Sequence, residues 1–183
     1  MNHFQLRLKF GEEAENLFEE VLKLQILPNK GYERFTFQSL RDKHGWNSVE
    51  CQKFTKVNGD FKVIGQDDEE LFFDVKGTEK LSLDSLEFAR EDLIFAMNFH
   101  LRREHCFFFR KSDVANKIKN VCKKVKLPSG DDGFSIWAAQ DFPQERLYTE
   151  LPRKILSLKK KLRKKAAEEF SDKFFGNVLT PEI

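Results

Sequence analysis

The chain has 183 residues, 40% of them hydrophobic and 34% charged, with a formal net charge of +2. That size and balance suit one domain with its own core, and no apolar run approaches the roughly 18 residues that a helical membrane span requires. Cys51, Cys106 and Cys122 are an odd, scattered set without metal-ligand spacing, which reads as buried thiols in a reducing, cytoplasmic setting.

Met1 to Arg7 lacks a signal-peptide pattern. Residues 11–22 read as a helix, with Ala14, Leu17, Phe18, Val21 and Leu22 as its apolar stripe and acids gathered in its first turns. Residues 32–37 suggest a short strand, 42–48 a polar loop, and 49–57 a strand leading into a hairpin. In that loop His44 is placed to contact a substrate and Trp46 to stack on a base; capping a core is the competing role of the indole.

The hairpin is the most informative stretch. Gly59 to Ile64 and Leu71 to Gly77 are short apolar runs joined by the polar turn 65–69. Pairing Ile64 with Glu70 sets Asp60 directly opposite Asp74. Side chains alternate along a strand, so Phe61, Val63, Phe73 and Val75 would face the core, and Asp60, Asp74 and Lys76 would share the other face. Two carboxylates held close together call for a cation. Mg²⁺ or Mn²⁺ suits such oxygen donors, with the Val75 carbonyl as a third ligand and Lys76 beside the ion.

Further on, residues 84–100 read as a long helix capped by Ser82 or Asp84, and 105–110 as a strand covered on both faces. Residues 113–126 read as a basic helix, 128–133 as a loop and 134–139 as a strand. A last helix opens at Leu151, and no acid occurs from Leu151 to Ala167. Phe170, Phe174 and Phe175 suggest a closing apolar patch. Residues 1–92 carry 13 Lys and Arg against 19 Asp and Glu, whereas residues 93–183 carry 19 against 11. An acidic centre with basic flanks suits a polyanion. Lys117, Lys123, Lys124, Lys159, Lys160, Arg163 and Lys164 are the candidate phosphate contacts; a membrane surface or a partner protein would use the same basic chemistry.

Gly59-Asp60 followed by Asp74-Val75-Lys76 resembles the PD-(D/E)xK nuclease superfamily, with Gly59 in the place of the naming proline. The likeness spans about Gly11 to Arg110. It implies a three-layer α/β restriction-endonuclease-like core, with a small mixed sheet between helices. It implies a domain over residues 1–150, on which the basic helix and tail of 151–183 pack. Its Gly-x-x-x-Glu helix corresponds to Gly11 and Glu15, with Glu12 the competing acid, and makes Glu15 a metal-supporting and catalytic candidate beside Asp60, Asp74 and Lys76. Val75-Lys76-Gly77-Thr78 and Glu87 resemble a further variant of the motif, in which Ser82 and Glu87 support the site. The activity implied is metal-dependent hydrolysis of phosphodiesters, in DNA first. The alternatives are an RNA endonuclease and a non-catalytic nucleic-acid-binding or protein-interaction module, and the family often works as a homodimer or within a larger assembly.

Overall fold

A computed structural model describes residues 3–127, 129–136 and 151–175. It is an α/β structure built on a mixed sheet. The main sheet has five strands in the order β1 (Gly31–Arg34), β2 (Phe61–Ile64), β3 (Glu70–Val75), β5 (Ile94–Met97) and β6 (Phe107–Arg110). All neighbours pair antiparallel except β3 and β5, which run parallel. A second, antiparallel sheet sets β4 (Lys80–Ser82) beside β8 (Asp132–Ser135) and β7 (Lys123–Lys126).

Alternation along the strands feeds two cores. Phe61, Val63, Phe73, Val75, Ile94, Ala96 and Phe108 pack with Ala14, Leu17, Phe18, Val21 and Leu22 of α1 (His3–Lys23). Phe72, Phe95, Met97, Phe107 and Phe109 point the other way. There they meet Leu40 of α2 (Phe37–His44), Cys51 of α3 (Ser48–Asn58), Leu86 of α4 (Leu83–Phe88) and Ile118 of α5 (Lys111–Val121). The aromatic side chains carry much of this burial: Phe18, Phe61, Phe73, Phe95, Phe99 and Phe109 are fully enclosed. Ile155 and Leu158 of α6 (Leu151–Phe175) join the first core, so this helix packs on the α1 side.

The hairpin pairs in the expected register, with Ile64 opposite Glu70 and Phe61 opposite Phe73. Elsewhere the elements differ. Residues 49–57 form a helix, α3, and not a strand. Asn47 accepts from the N–H groups of Val49 and Glu50, and the Glu50 carboxylate accepts from that of Asn47; this reciprocal cap starts a helix. The strand at 32–37 stops at Arg34, because Thr36 and Ser39 cap α2 in the same manner. The long helix at 84–100 is a short α4 and then β5. Ser82 caps α4 by accepting from Ser85 N–H at 3.0 Å. Leu93 to Met97 are buried without a break, as a strand covered on both faces must be. The basic segment 113–126 divides into α5 and the strand β7, which places Lys123 and Lys124 on a sheet. Residues 137–139, expected to continue the last strand, and the side chains of Phe170, Phe174 and Phe175 lie outside the described residues.

Candidate metal centre

Gly59 shapes the entry to the site. Its φ is +75°, and a Cβ built there would lie 2.3 Å from the Phe73 carbonyl oxygen. Only glycine satisfies both conditions. Proline, with φ fixed near −65°, is excluded from this position.

Asp60 follows, held on three sides. Its N–H donates to Phe73 O at 2.7 Å and its carbonyl accepts from Phe35 N–H at 2.7 Å. Its Oδ2 accepts from Val75 N–H at 2.7 Å. The expected face-to-face pairing of Asp60 with Asp74 is therefore modified. The chain turns at Asp60, whose N–H takes the Phe73 carbonyl opposite Phe61, and the carboxylate folds over the end of β3.

Asp74 is 7% exposed and accepts from Lys76 Nζ at 2.8 Å. The Lys76 backbone is clamped to β5 and the chain after it: its N–H donates to Ala96 O at 2.8 Å and its carbonyl accepts from Phe99 N–H at 2.9 Å. Lys76, Asp60 and Val75 line a cleft of about 290 Å³ with Phe10, Gly11, Glu15, Gly77 and Thr78. Asp74 is not among the residues that line it; its carboxylate contacts Lys76, which does.

The opposite wall is α1, brought close because Gly77 has no side chain: a Cβ there would lie 2.9 Å from Phe10 O. Glu15 reaches the cleft and Glu12 is exposed elsewhere. Arg34 at the end of β1 holds Glu15 at 2.8 Å, and also binds Asn16 at 2.8 Å and Glu19 at 3.0 Å. Nothing in the spacing of Arg34 announces this anchoring role.

The electrostatics are unbalanced. Burial raises the Asp60 carboxyl well above the usual carboxylate range, Asp74 adds to the rise, and Glu15 adds a little more; Lys76 and the Val75 N–H oppose it. Burial alone would favour neutral Lys76, yet Asp74, Asp60 and Glu15 outweigh it and raise the ammonium's pKa. Asp60, Glu15 and the Val75 carbonyl are hard oxygen donors around one cleft, and the repulsion on Asp60 is what a bound cation would relieve. The donor set thus fits Mg²⁺ or Mn²⁺ in chemical type. Among the described residues, no group of three or more His, Cys, Asp and Glu lies close enough to hold a metal by itself.

The other candidates are dispersed. Ser82 is occupied as the α4 cap, and Glu87 is exposed on a separate cavity of about 460 Å³ with Lys124 and Asp132. Trp46 is half-buried, stacked on His44 at 4.3 Å and packed against Phe54 at 5.3 Å, which gives it a structural role. Lys117, Lys123, Lys124, Lys160 and Lys164 are exposed, and none lines the cleft. Lys159 corrects the expectation of a phosphate contact. It is 1% exposed and donates to Asn98 O at 3.2 Å and Arg103 O at 3.3 Å. Arg163 is half-buried and donates from Nε to Leu101 O. Compared with protein-family models, with curated proteins and with solved structures, the chain gives no match.

Proposed function

We propose that this protein hydrolyses phosphodiester bonds, in DNA first, with a divalent metal held at the Asp60 cleft on a restriction-endonuclease-like core. The observation that carries the reading is the convergence of Asp60, Val75, Lys76 and Glu15 on one cleft, with Asp74 in contact with Lys76. Asp60, the Val75 carbonyl and Glu15 would hold the ion, and Asp74 would join them by exchanging its contact with Lys76. When bound, the ion supplies Lewis-acid polarisation of the phosphate and a water of lowered pKa. Asp74 and Asp60 raise the Lys76 pKa against its burial, which favours the ammonium, so its part would be to neutralise charge growing on the phosphate and to orient the attacking water. Gly11 leaves room over the cleft, since a Cβ there would meet nothing within 4 Å. The exposed lysines outside the cleft would hold the backbone without reading its sequence.

The test is incubation of supercoiled, linear, single-stranded and branched DNA, and of RNA, with Mg²⁺ or Mn²⁺. Cleavage by the wild type that Asp74→Asn lacks supports the reading; intact substrates with both metals overturn it. Among the described residues no three of His, Cys, Asp and Glu form a group that could hold a metal by itself. This favours one competing reading, a nucleic-acid-binding module without catalysis, which predicts binding and no cleavage in the same assay.

A further inference from the structure

We infer that α2 and α3 form a helix-turn-helix unit that docks double-stranded DNA through the exposed face of α3. This goes beyond the hydrolysis proposed above and stands on a different part of the chain.

The local construction is specific. α2 ends at Gly45, whose φ of +71° is a left-handed cap and whose N–H donates to Arg41 O at 2.7 Å. Asn47 opens α3 with its reciprocal cap to Glu50. The turn between the helices is therefore Gly45-Trp46-Asn47, closed at both ends. A short helix, a Gly-containing turn of three or four residues and a second helix is the arrangement with which DNA-binding proteins present that second helix to the major groove.

The pair carries its own apolar seam. Leu40 and Cys51 are buried, and Phe54 packs between Trp46 at 5.3 Å and Phe35 at 5.0 Å. This seam decides which side of α3 faces inward. Ser48, Val49, Gln52, Lys53 and Lys56 are all exposed on the other side. They are the first, second, fifth, sixth and ninth residues of α3, which at 3.6 residues per turn share an arc of about 140°.

The chemistry on that arc matches a B-form groove. An amide such as Gln52 pairs bidentately with adenine, a methyl-bearing side chain such as Val49 meets thymine, and lysines contact guanine or phosphate. The neighbouring acids are engaged: Glu50 in the cap, Asp42 with Gln38 at 2.7 Å, and Asp84 at 3.6 Å from Lys56. Lys53 has no ion pair among the described residues, and Lys56 shares an exposed one with Asp84 that a phosphate would replace, which favours a polyanion over a neutral protein surface. Duplex RNA is excluded by its deep, narrow major groove. α3 runs directly into Gly59 and Asp60, so the docking helix and the cleft acid are consecutive in the chain.

The test uses the full chain and a labelled DNA duplex of about two helical turns, in EDTA so that no hydrolysis enters. Fluorescence anisotropy should show tighter binding to duplex DNA than to the single strand or to duplex RNA. Replacing Lys53→Ala with Lys56→Ala should weaken duplex binding about tenfold at physiological salt and lower the slope of log Kd against log salt by about two. Circular dichroism and thermal melting confirm that this variant folds. Because the assay holds no divalent metal, it reads binding alone, and its outcome is independent of the cleavage assay that tests the hydrolysis reading. An α3 variant with wild-type affinity and salt slope, or a wild type with no preference for duplex DNA, would overturn it.

Discussion

Two groups of charged side chains are withdrawn from water in this fold, and their surroundings treat them oppositely. On α6, buried Lys159 donates to the carbonyls of Asn98 and Arg103 and sits 5.7 Å from the Phe99 ring centre. Burial lowers its pKa, the Cys106 thiol opposes the shift, and Arg163 adds to it. Its acceptors are neutral backbone groups of the chain after β5, so the ammonium fastens that segment to α6. At the cleft, Asp60 and Asp74 share one ammonium, Lys76, while Arg34 holds Glu15, and burial followed by repulsion from Asp74 raises the Asp60 pKa. A buried charge supplied with acceptors is scaffold. A buried charge surrounded by its own sign stores unfavourable energy, a pattern that concentrates at functional sites.

The largest effect that separates the two clusters is on activity. Asp74→Asn should reduce metal-dependent cleavage by on the order of a thousandfold while shifting the melting temperature little, as measured by a plasmid assay alongside calorimetry. Lys159→Ala should do the reverse. It leaves the buried Asn98 carbonyl without the Lys159 donor and a cavity on α6, and should cost about 2–4 kcal/mol in chemical denaturation. Its neighbour Lys160→Ala, on the exposed face, should stay within about 0.5 kcal/mol of the wild type.

That last contrast was open to reading in the sequence. Ile155, Leu158, Lys159 and Leu162 share one helical stripe, which places Lys159 inward and Lys160 outward; a run of lysines draws attention to charge and away from period. The hairpin was legible for a stronger reason: its turn and its alternation admit only one register that buries Phe61, Val63, Phe73 and Val75 together. The bend at Asp60 was not, because it depends on the positive φ of Gly59 and on contact with the Phe73 carbonyl. α3 passed for a strand because Val49, Phe54, Thr55 and Val57 are β-formers, although the Asn47-to-Glu50 spacing carried the helix signal. Ile94 to Met97 passed for a helix because a continuous apolar run has no period to distinguish the two. The Arg34 clamp on Glu15 joins residues from separate elements and leaves no local trace.

A smaller effect sharpens the charge comparison. Asp60 has a folded-state pKa above its unfolded value, so its contribution to stability is fully present below the unfolded pKa near 3.9 and is lost as pH rises through the folded value. At neutral pH and in EDTA, Asp60→Asn should therefore melt higher than the wild type, with the difference vanishing below about pH 4. Mg²⁺ should raise the melting temperature of the wild type and not of the variant.

The smallest effect concerns His100 beside α1. Its Nδ1 accepts from Arg102 N–H at 3.1 Å and its Nε2 lies 3.1 Å from Glu13. Burial lowers its pKa, Glu13 opposes that, and Arg102 and Lys159 add to it. The folded value lies below the unfolded one, so this contribution is present above about pH 6.5 and is lost as pH falls through the folded value. Relative to His100→Gln, the wild type should lose stability between pH 7 and pH 5, read by thermal melting across that range.

Capture of a divalent ion by the carboxylates at the end of β3 can be read directly by following the electron paramagnetic resonance of free Mn²⁺ during titration of the full chain. The wild type should remove the free-ion signal at stoichiometric protein, while Asp60→Asn and Asp74→Asn leave it in solution. A wild type that leaves the signal unchanged, or variants that remove it equally well, would contradict the account.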